Sequence, residues 1–539
     1  MAVFSLLAAL VGLVAAQSPP PASPSPSPPP IKAYNLSVPV DHFHNESKYE
    51  PHSSDFFNLR YWLDTSNYRP GGPVIVLHSG ETSSEDRLPY LEHGIVPELT
   101  AATGGVGLVL EHRYYGTSYP TANVTTQSLR FLTSEQALAD TAYFAQHVTF
   151  PGLEHVSLTA AHAPWIIYGG SYAGALAALA RKLYPDVFWG GISSSGVTAA
   201  VDDYWQYFEA ARHAAPGDCS ATLQRLVHVI DAHLCSGDQD RAKQLKELFG
   251  LGELWNDEFA DTIKEGIEGL QSTNWDPNED DAKFGLFCAS ITSDARLFAS
   301  TAHLVPRVRQ AVSSVYGDND HHGVSLDSLV ARMLNYIGFV RDSVRKSRAG
   351  ICKDKSQRQC YSSRLLEDDT SISSSWFRSW TYQTCTQWGY FVTGSGVPQD
   401  RLPLVSRALT YEYASVLCQR FFNITARPDV ESINRHGGFE FSYPRLAIID
   451  GAQDPWREAT PHATGHNVGR GSSVTEPFLL IDWGVHHWDE YGLPLAERAQ
   501  WEGLLPPPQV VGAQREEVRF VRAWLEEWKG RVVREVGEI

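Results

Sequence analysis

The chain of 539 residues carries 44 lysines and arginines against 62 aspartates and glutamates, a formal net charge of −18 at neutral pH. That acidic balance speaks against nucleic acid or an anionic membrane surface as a partner, because both demand a basic face. A composition of 43% hydrophobic and 20% charged residues is globular, long enough for a large domain with an insertion, and no repeat of roughly 20 to 50 residues marks a solenoid.

The N-terminus, MAVFSLLAALVGLVAAQ, has an apolar run through Val14 followed by the small residues Ala15 and Ala16, although no Lys or Arg precedes the run. The pattern predicts a signal peptide over 1–16, too short to serve as a membrane span of about 20 residues. A Pro/Ser-rich spacer, 17–32, follows and cannot build a core, so folded structure is expected from about Ile31. The expected destination is extracellular, with a vacuolar or lysosomal lumen as the alternative. Sequons at Asn35, Asn45, Asn123 and Asn423 fit a secreted glycoprotein. Seven cysteines, from Cys219 to Cys418, suggest up to three disulfides and one unpaired thiol, with Cys352 and Cys360 near enough in sequence to pair. None of their spacings suits a zinc site.

Apolar, β-branched runs at 73–78 (PVIVLH), 106–112 (VGLVLEH), 165–168 (WIIY) and 190–197 (GGISSSGV) read as buried parallel strands. Helical patterns lie between them, from Ser134 and from Ala173 to Leu183, and strand–helix alternation predicts a parallel sheet. From 201 to 430 the chain is a succession of amphipathic helix patterns carrying most of the cysteines, which predicts a mostly helical cap inserted into the sheet domain. Strand signals resume at RLAIID (445–450) and PFLLID (477–482), and VRFVRAWLEEWK closes the chain as a helix. The predicted organisation is an α/β class domain in two parts, 33–200 and 431–539, interrupted by the insertion 201–430.

The stretch IIYGGSYAGAL (166–176) is a strand turning directly into a helix through Gly169, Gly170, Ser171, Tyr172, Ala173 and Gly174. This is the context of a nucleophile elbow, in which small neighbours permit a strained turn and the serine Oγ stands above the sheet. The competing reading is a glycine turn that merely packs closely or holds a phosphate on the helix N-terminus. A serine nucleophile needs a base and a carboxylate to orient it, and on such a fold they follow in the order Ser, Asp, His. GAQDPW offers Asp450 and Asp454, and VHHWDE offers His486 and His487. Asp454, in the loop beyond the strand, is the better acid, while the spacing does not separate the two histidines.

Together EHRYYG (111–116), LTSEQALAD (132–140), GGSYAG, DPW (454–456) and HHWD (486–489) resemble the S28 serine peptidases, which include prolyl carboxypeptidase, dipeptidyl-peptidase II and fungal prolyl endoproteases. The resemblance implies an α/β-hydrolase fold with a helical insertion and a triad of Ser171, Asp454 and His486. It also implies cleavage after proline, with peptides or proteins as substrates and no cofactor. An acyl-enzyme mechanism needs two oxyanion donors, the Tyr172 N–H and one from Gly80 or Glu81. A prolyl ring needs aromatic walls, for which Trp456, Trp388 and Tyr382 are candidates, whereas Trp376 and Trp380 read as core.

Asp318, Asp320, His321 and His322 are read as a solvated loop, not a metal site, and NWDPNEDDAK from Asn274 as an acidic loop. Glu111, Arg113 and Tyr115 fit equally a brace for the site or ordinary strand-end structure. A secreted carboxylesterase or lipase, or a non-catalytic protein of the same fold, remains the alternative. Acidity with secretion suits work at acid pH.

Overall fold

A computed structural model describes residues 31–537 apart from 318–322, 345, 347 and 351. The signal peptide, the spacer as far as Pro30 and the Asp318–His322 cluster therefore lie outside the described residues, while Lys32, read as the spacer's last residue, already belongs to the first strand. Structure begins with β1 (Lys32–Pro39), against which β2 (Phe56–Asp64) returns antiparallel. This pair is absent from the predicted strands, because a long connection separates its arms and no tight turn announces a hairpin. Its signal is the alternation of Phe57, Leu59, Tyr61 and Leu63, all buried on one face.

The predicted strands follow as β3 (Val74–His78), β4 (Val106–Leu110), β5 (Trp165–Gly170) and β6 (Gly190–Ser194). After the intervening segment come β9 (Leu446–Gly451) and β10 (Phe478–Ile481). One sheet takes the order β1-β2-β4-β3-β5-β6-β9-β10, antiparallel at β1/β2 and β2/β4 and parallel elsewhere. Strands β3, β4, β6 and β9 are buried along their whole length, as expected of parallel strands covered on both faces; β3 and β4 accordingly read as apolar runs, whereas β6 sets Ile192 between glycines and serines. The fold is an α/β-hydrolase fold.

The helix Ser134–His147 is capped by the Thr133 hydroxyl, which accepts from the Gln136 N–H. The last helix, Pro508–Gly537, exceeds its predicted length and buries Phe520, Val521 and Trp524. Between β6 and β9 helices dominate, among them Cys219–Leu234, Gln239–Leu248, Lys283–Thr292, Val305–Tyr316 and Leu326–Phe339. Sequence patterning gives this segment no strand, yet β7 (Val201–Asp203) and β8 (Gly389–Phe391) pair parallel within it. Three residues each are too few to show a period. Disulfides join Cys219 to Cys288, Cys352 to Cys360 and Cys385 to Cys418, leaving Cys235 free and exposed, in agreement with three bridges and one thiol. All four sequon asparagines are exposed.

Candidate active site

The turn from β5 into the helix Tyr172–Leu183 holds Ser171 at φ 58° and ψ −127°, a backbone state that a side chain rarely adopts. The Ser171 N–H donates to the Ser194 carbonyl at 2.9 Å, which ties the strained residue to β6. The Ser171 side chain does not cap the helix, so its hydroxyl is not spent on the backbone. Glycine is forced nearby: a Cβ at Gly169 would stand 2.1 Å from the Ala173 carbonyl oxygen, and one at Gly170 would stand 2.6 Å from the Glu490 carboxylate. Tyr172, the first helical residue, has an N–H with no intrahelical acceptor.

The loop after β9 brings Asp454 to the imidazole of His486, whose Nδ1 lies 2.9 and 3.1 Å from the two carboxylate oxygens. Both groups are buried. The Trp456 N–H also donates to Asp454 Oδ1 at 2.8 Å. Burial by itself raises the Asp454 carboxyl. The facing His486 charge and hydrogen bond, with those from the Ser195 hydroxyl and the Trp456 N–H, overcome this and hold it below the usual carboxylate range. Asp450 is engaged elsewhere, accepting from Thr460 Oγ1 at 2.9 Å and paired with His462 Nδ1 at 2.6 Å. The structure thus separates pairs that spacing alone leaves open. His487 adopts φ 39°, donates its N–H to Ser195 Oγ at 2.9 Å and stacks on Tyr491, with Nδ1 3.1 Å from Glu490 Oε2. Burial drives the His487 imidazole well below the usual histidine range, with the neighbouring His486 and Arg87 charges adding to the effect.

Of the two proposed second oxyanion donors, Gly80 (φ 70°) has its N–H committed to His78 Nδ1 at 3.1 Å. Burial, reinforced by His112, pushes the His78 imidazole well below its usual range, so it stays a neutral acceptor. Glu81 lies beside the site, within electrostatic reach of His486. Trp456 sits next to His486, ring centroids 6.5 Å apart, stacked on Tyr204 and edged by Tyr207 and Tyr390. Trp388 is completely buried behind Tyr172 and shows no surface to a ligand, while Tyr382 packs on Phe422. Trp380 is partly buried and edges Tyr172, but Trp376 is 60% exposed at the start of its helix, which corrects its reading as core.

Sequence reasoning misses the glutamines that order these rings. Gln271 Oε1 accepts from Trp456 Nε1 and from the Tyr207 hydroxyl, both at 2.8 Å. Gln383 Nε2 donates to the Tyr172 hydroxyl at 2.6 Å while its Oε1 accepts from Tyr115 at 2.5 Å. A lone glutamine in a helical pattern carries no sequence signal of its own. The EHRYYG residues turn out to brace the loops. Glu111 accepts from Arg60, Ser84, Thr117 and Ser118, and Arg113 forks onto Asp140 through two 2.6 Å bonds. One group of possible cation ligands occurs away from this site among the described residues, Asp41, His44 and His52, and there Asp41 is already paired with His52 Nδ1 at 2.7 Å.

A parallel-centred sheet with a strained serine at the strand–helix elbow, and a histidine–carboxylate pair on the loops after later strands, defines a serine hydrolase of the α/β-hydrolase fold. The chain belongs to the serine carboxypeptidase S28 family, which matches it over residues 39–260 and 322–500. It is 44% identical over 498 residues to the "Probable extracellular serine carboxypeptidase" of Arthroderma benhamiae, covering 92% of this chain and 68% of that one. It is 27% identical over 456 residues to the "Serine protease vicPa" of Bipolaris victoriae, covering 80% of each. Among solved structures, epoxide hydrolase A from Mycobacterium thermoresistibile aligns over 91% of this chain and 98% of its own at 13% identity, with a TM-score of 0.30. The protein is thus a serine-type peptidase by family. Among the described residues no helix is long and apolar enough to cross a membrane.

Proposed function

We propose that this protein is a secreted serine carboxypeptidase that cleaves on the carboxyl side of proline through a Ser171–His486–Asp454 acyl-enzyme mechanism. The observation that carries the reading is His486 Nδ1 held 2.9 and 3.1 Å from the Asp454 oxygens, which leaves Nε2 as the basic nitrogen. Ser171 Oγ attacks the scissile carbonyl as His486 Nε2 takes its proton. The same nitrogen then protonates the leaving amine, and water enters by the reverse sequence to release the acyl group and regenerate the serine. The developing oxyanion is received by the Tyr172 N–H and by a second donor from the loop after β3, where Glu81 follows Gly80, whose own N–H is taken by His78.

Proline specificity is supported by the aromatic walls at Trp456, whose indole plane is fixed by Tyr204 behind it and Gln271 at its edge. The segment 201–430 acts as the cap that supplies Tyr204, Tyr207, Gln271 and Tyr390 to this pocket. Secretion is supported by the leader pattern, the three disulfides and the extracellular designation of the Arthroderma relative, and the exposed sequon asparagines are glycosylation sites in this reading. The test is mass spectrometry of a defined peptide mixture, with free and blocked termini and internal prolines, incubated with the protein and with Ser171→Ala. Removal of residues following proline, lost in the variant, supports the reading. The absence of any serine-dependent peptide cleavage refutes it.

A further inference from the structure

Arg87 stands out among the charged groups around the elbow. It lies just beyond the loop that follows β3, with Nε donating to the Ser79 carbonyl at 3.2 Å and Nη1 to the Tyr90 hydroxyl at 3.5 Å, its guanidinium over the Tyr90 ring. Among the described residues no carboxylate oxygen comes within 4.0 Å of it, although the chain is rich in acid and its other site-loop arginines, Arg60 and Arg113, have close carboxylate partners. The guanidinium is only partly exposed, so water does not fully solvate it. A desolvated cation without a counter-ion is an incomplete arrangement that an anionic ligand would complete.

Its neighbours place that vacancy beside the chemistry. Glu490 lies against Gly170, the residue before the nucleophile, close enough that a Cβ there would collide with its carboxyl group. Glu81 follows Gly80, whose own Cβ position stands 3.1 Å from that of Ala173. Arg87 is within electrostatic reach of both glutamates, and both are within reach of His486. Glu490 Oε1 and Glu81 Oε2 are buried with no hydrogen-bond partner, so each has an oxygen unspent by the protein. Burial pushes the Glu490 carboxyl up to about 7, against the pull of Arg87 and His486, and burial raises that of Glu81 against the same two charges. Below that value Glu490 is a carboxylic acid, able to donate a hydrogen bond to an anion, and burial biases Glu81 in the same direction.

Resting on the serine carboxypeptidase reading above, we propose that Arg87, flanked by Glu81 and Glu490, receives the α-carboxylate of the substrate's last residue and so directs Ser171 to the final peptide bond. An ion pair fixes the carboxylate, and Glu490 in its neutral form donates a hydrogen bond to a remaining lone pair. A chain continuing past the scissile bond, or ending in an amide, brings no charge to Arg87.

The test compares N-blocked Pro-Phe and Ala-Phe dipeptides as free acids and as C-terminal amides, in the wild type, Arg87→Met and Arg87→Lys, with a serine-reactive fluorophosphonate label reporting folded sites. The wild type is expected to favour the acid, and Arg87→Met to lower the acid-to-amide ratio of kcat/KM by about 10- to 100-fold, chiefly through KM, the range for a lost charge-assisted contact. Arg87→Lys is expected to keep part of the ratio. A ratio unchanged in a labelled Arg87→Met overturns the proposal and leaves the carboxypeptidase reading standing. A wild type that shows no preference for the acid overturns that reading, and the proposal with it. Glu490→Gln gives a second, independent arm. Arg87, His486, His487, Glu81, Asp489, Glu517, Tyr90, Tyr168 and Tyr491 are the other titratable or charged groups facing it; wild-type preference for the acid should fall as pH rises through about 7, where Glu490 ionises, and fall less in the glutamine variant, which keeps all of those neighbours. Parallel pH profiles for the two would contradict the role given to Glu490.

Discussion

Beneath the elbow, Asp489 is 1% exposed and accepts from the Tyr168 hydroxyl at 2.5 Å and the Ser194 hydroxyl at 2.6 Å. Burial pushes its carboxyl from 3.8 up to about 7, opposed by those two hydrogen bonds and aided by Glu490. The folded state therefore holds a proton that the unfolded chain releases between those values, so this group's contribution to stability is full below pH 3.8 and declines as pH rises to about 7. The interval is 7 − 3.8 = 3.2 units, and at about 1.36 kcal/mol per unit the loss is about 4 kcal/mol at most. Asp489→Asn cannot titrate and should lack this decline, whatever fixed cost the amide carries. Urea denaturation of both proteins at pH 4, 5, 6 and 7 measures it, because lowered carboxyls such as Asp454, Asp140 and Glu111 are common to both and cancel in the difference. The asparagine variant should gain on the wild type by up to about 4 kcal/mol across the series. Stability curves that stay parallel would refute a protonated Asp489.

Ser171→Ala should remove at least about 10³-fold of kcat while leaving the unfolding midpoint unchanged within error, since the hydroxyl caps nothing in the fold. Asp454→Asn should lower kcat about 10³- to 10⁴-fold with little change in KM, read by single-turnover kinetics on a proline peptide ester and amide. Gln271→Leu frees the Trp456 indole and the Tyr207 hydroxyl from their shared acceptor and should raise KM for proline substrates more than for alanine ones, measured as a ratio of kcat/KM. Replacing Cys385 and Cys418 by serine should cost about 2 to 5 kcal/mol in denaturant unfolding.

Which parts of this protein could be read in the sequence follows from how local their physics is. The buried strands β3, β4, β5 and β9 announce themselves because parallel strands covered on both faces are largely apolar, and the elbow because only glycine fits where the helix carbonyl and the Glu490 carboxylate press on β5. The β1/β2 pair went unseen because its pairing is non-local, and β7 and β8 because each is too short. Spacing alone does not separate His486 from His487, and the resemblance alone names His486; in the fold the adjacent residues differ in where the turn aims them, one at Asp454, the other, at φ 39°, toward Tyr491 and Glu490.

The same distinction explains why the charged surroundings of the elbow were invisible. HHWDE draws attention for its histidines, yet Asp489 and Glu490 descend beneath the nucleophile strand and meet Glu517, whose two carboxylate oxygens are buried without a partner on the last helix. Burial, with Asp489 and Glu490 adding to it, pushes the Glu517 carboxyl well above its usual range. Three acids brought together from two distant segments must share the cost of desolvation, and holding their protons is the lowest-energy way to do so. The raised carboxyls favour the fold where protons are plentiful, whereas the lowered Asp454, Asp140 and Glu111 lose their contribution there. An acidic medium is then the condition in which a neutral Glu490 faces a substrate carboxylate without repelling it.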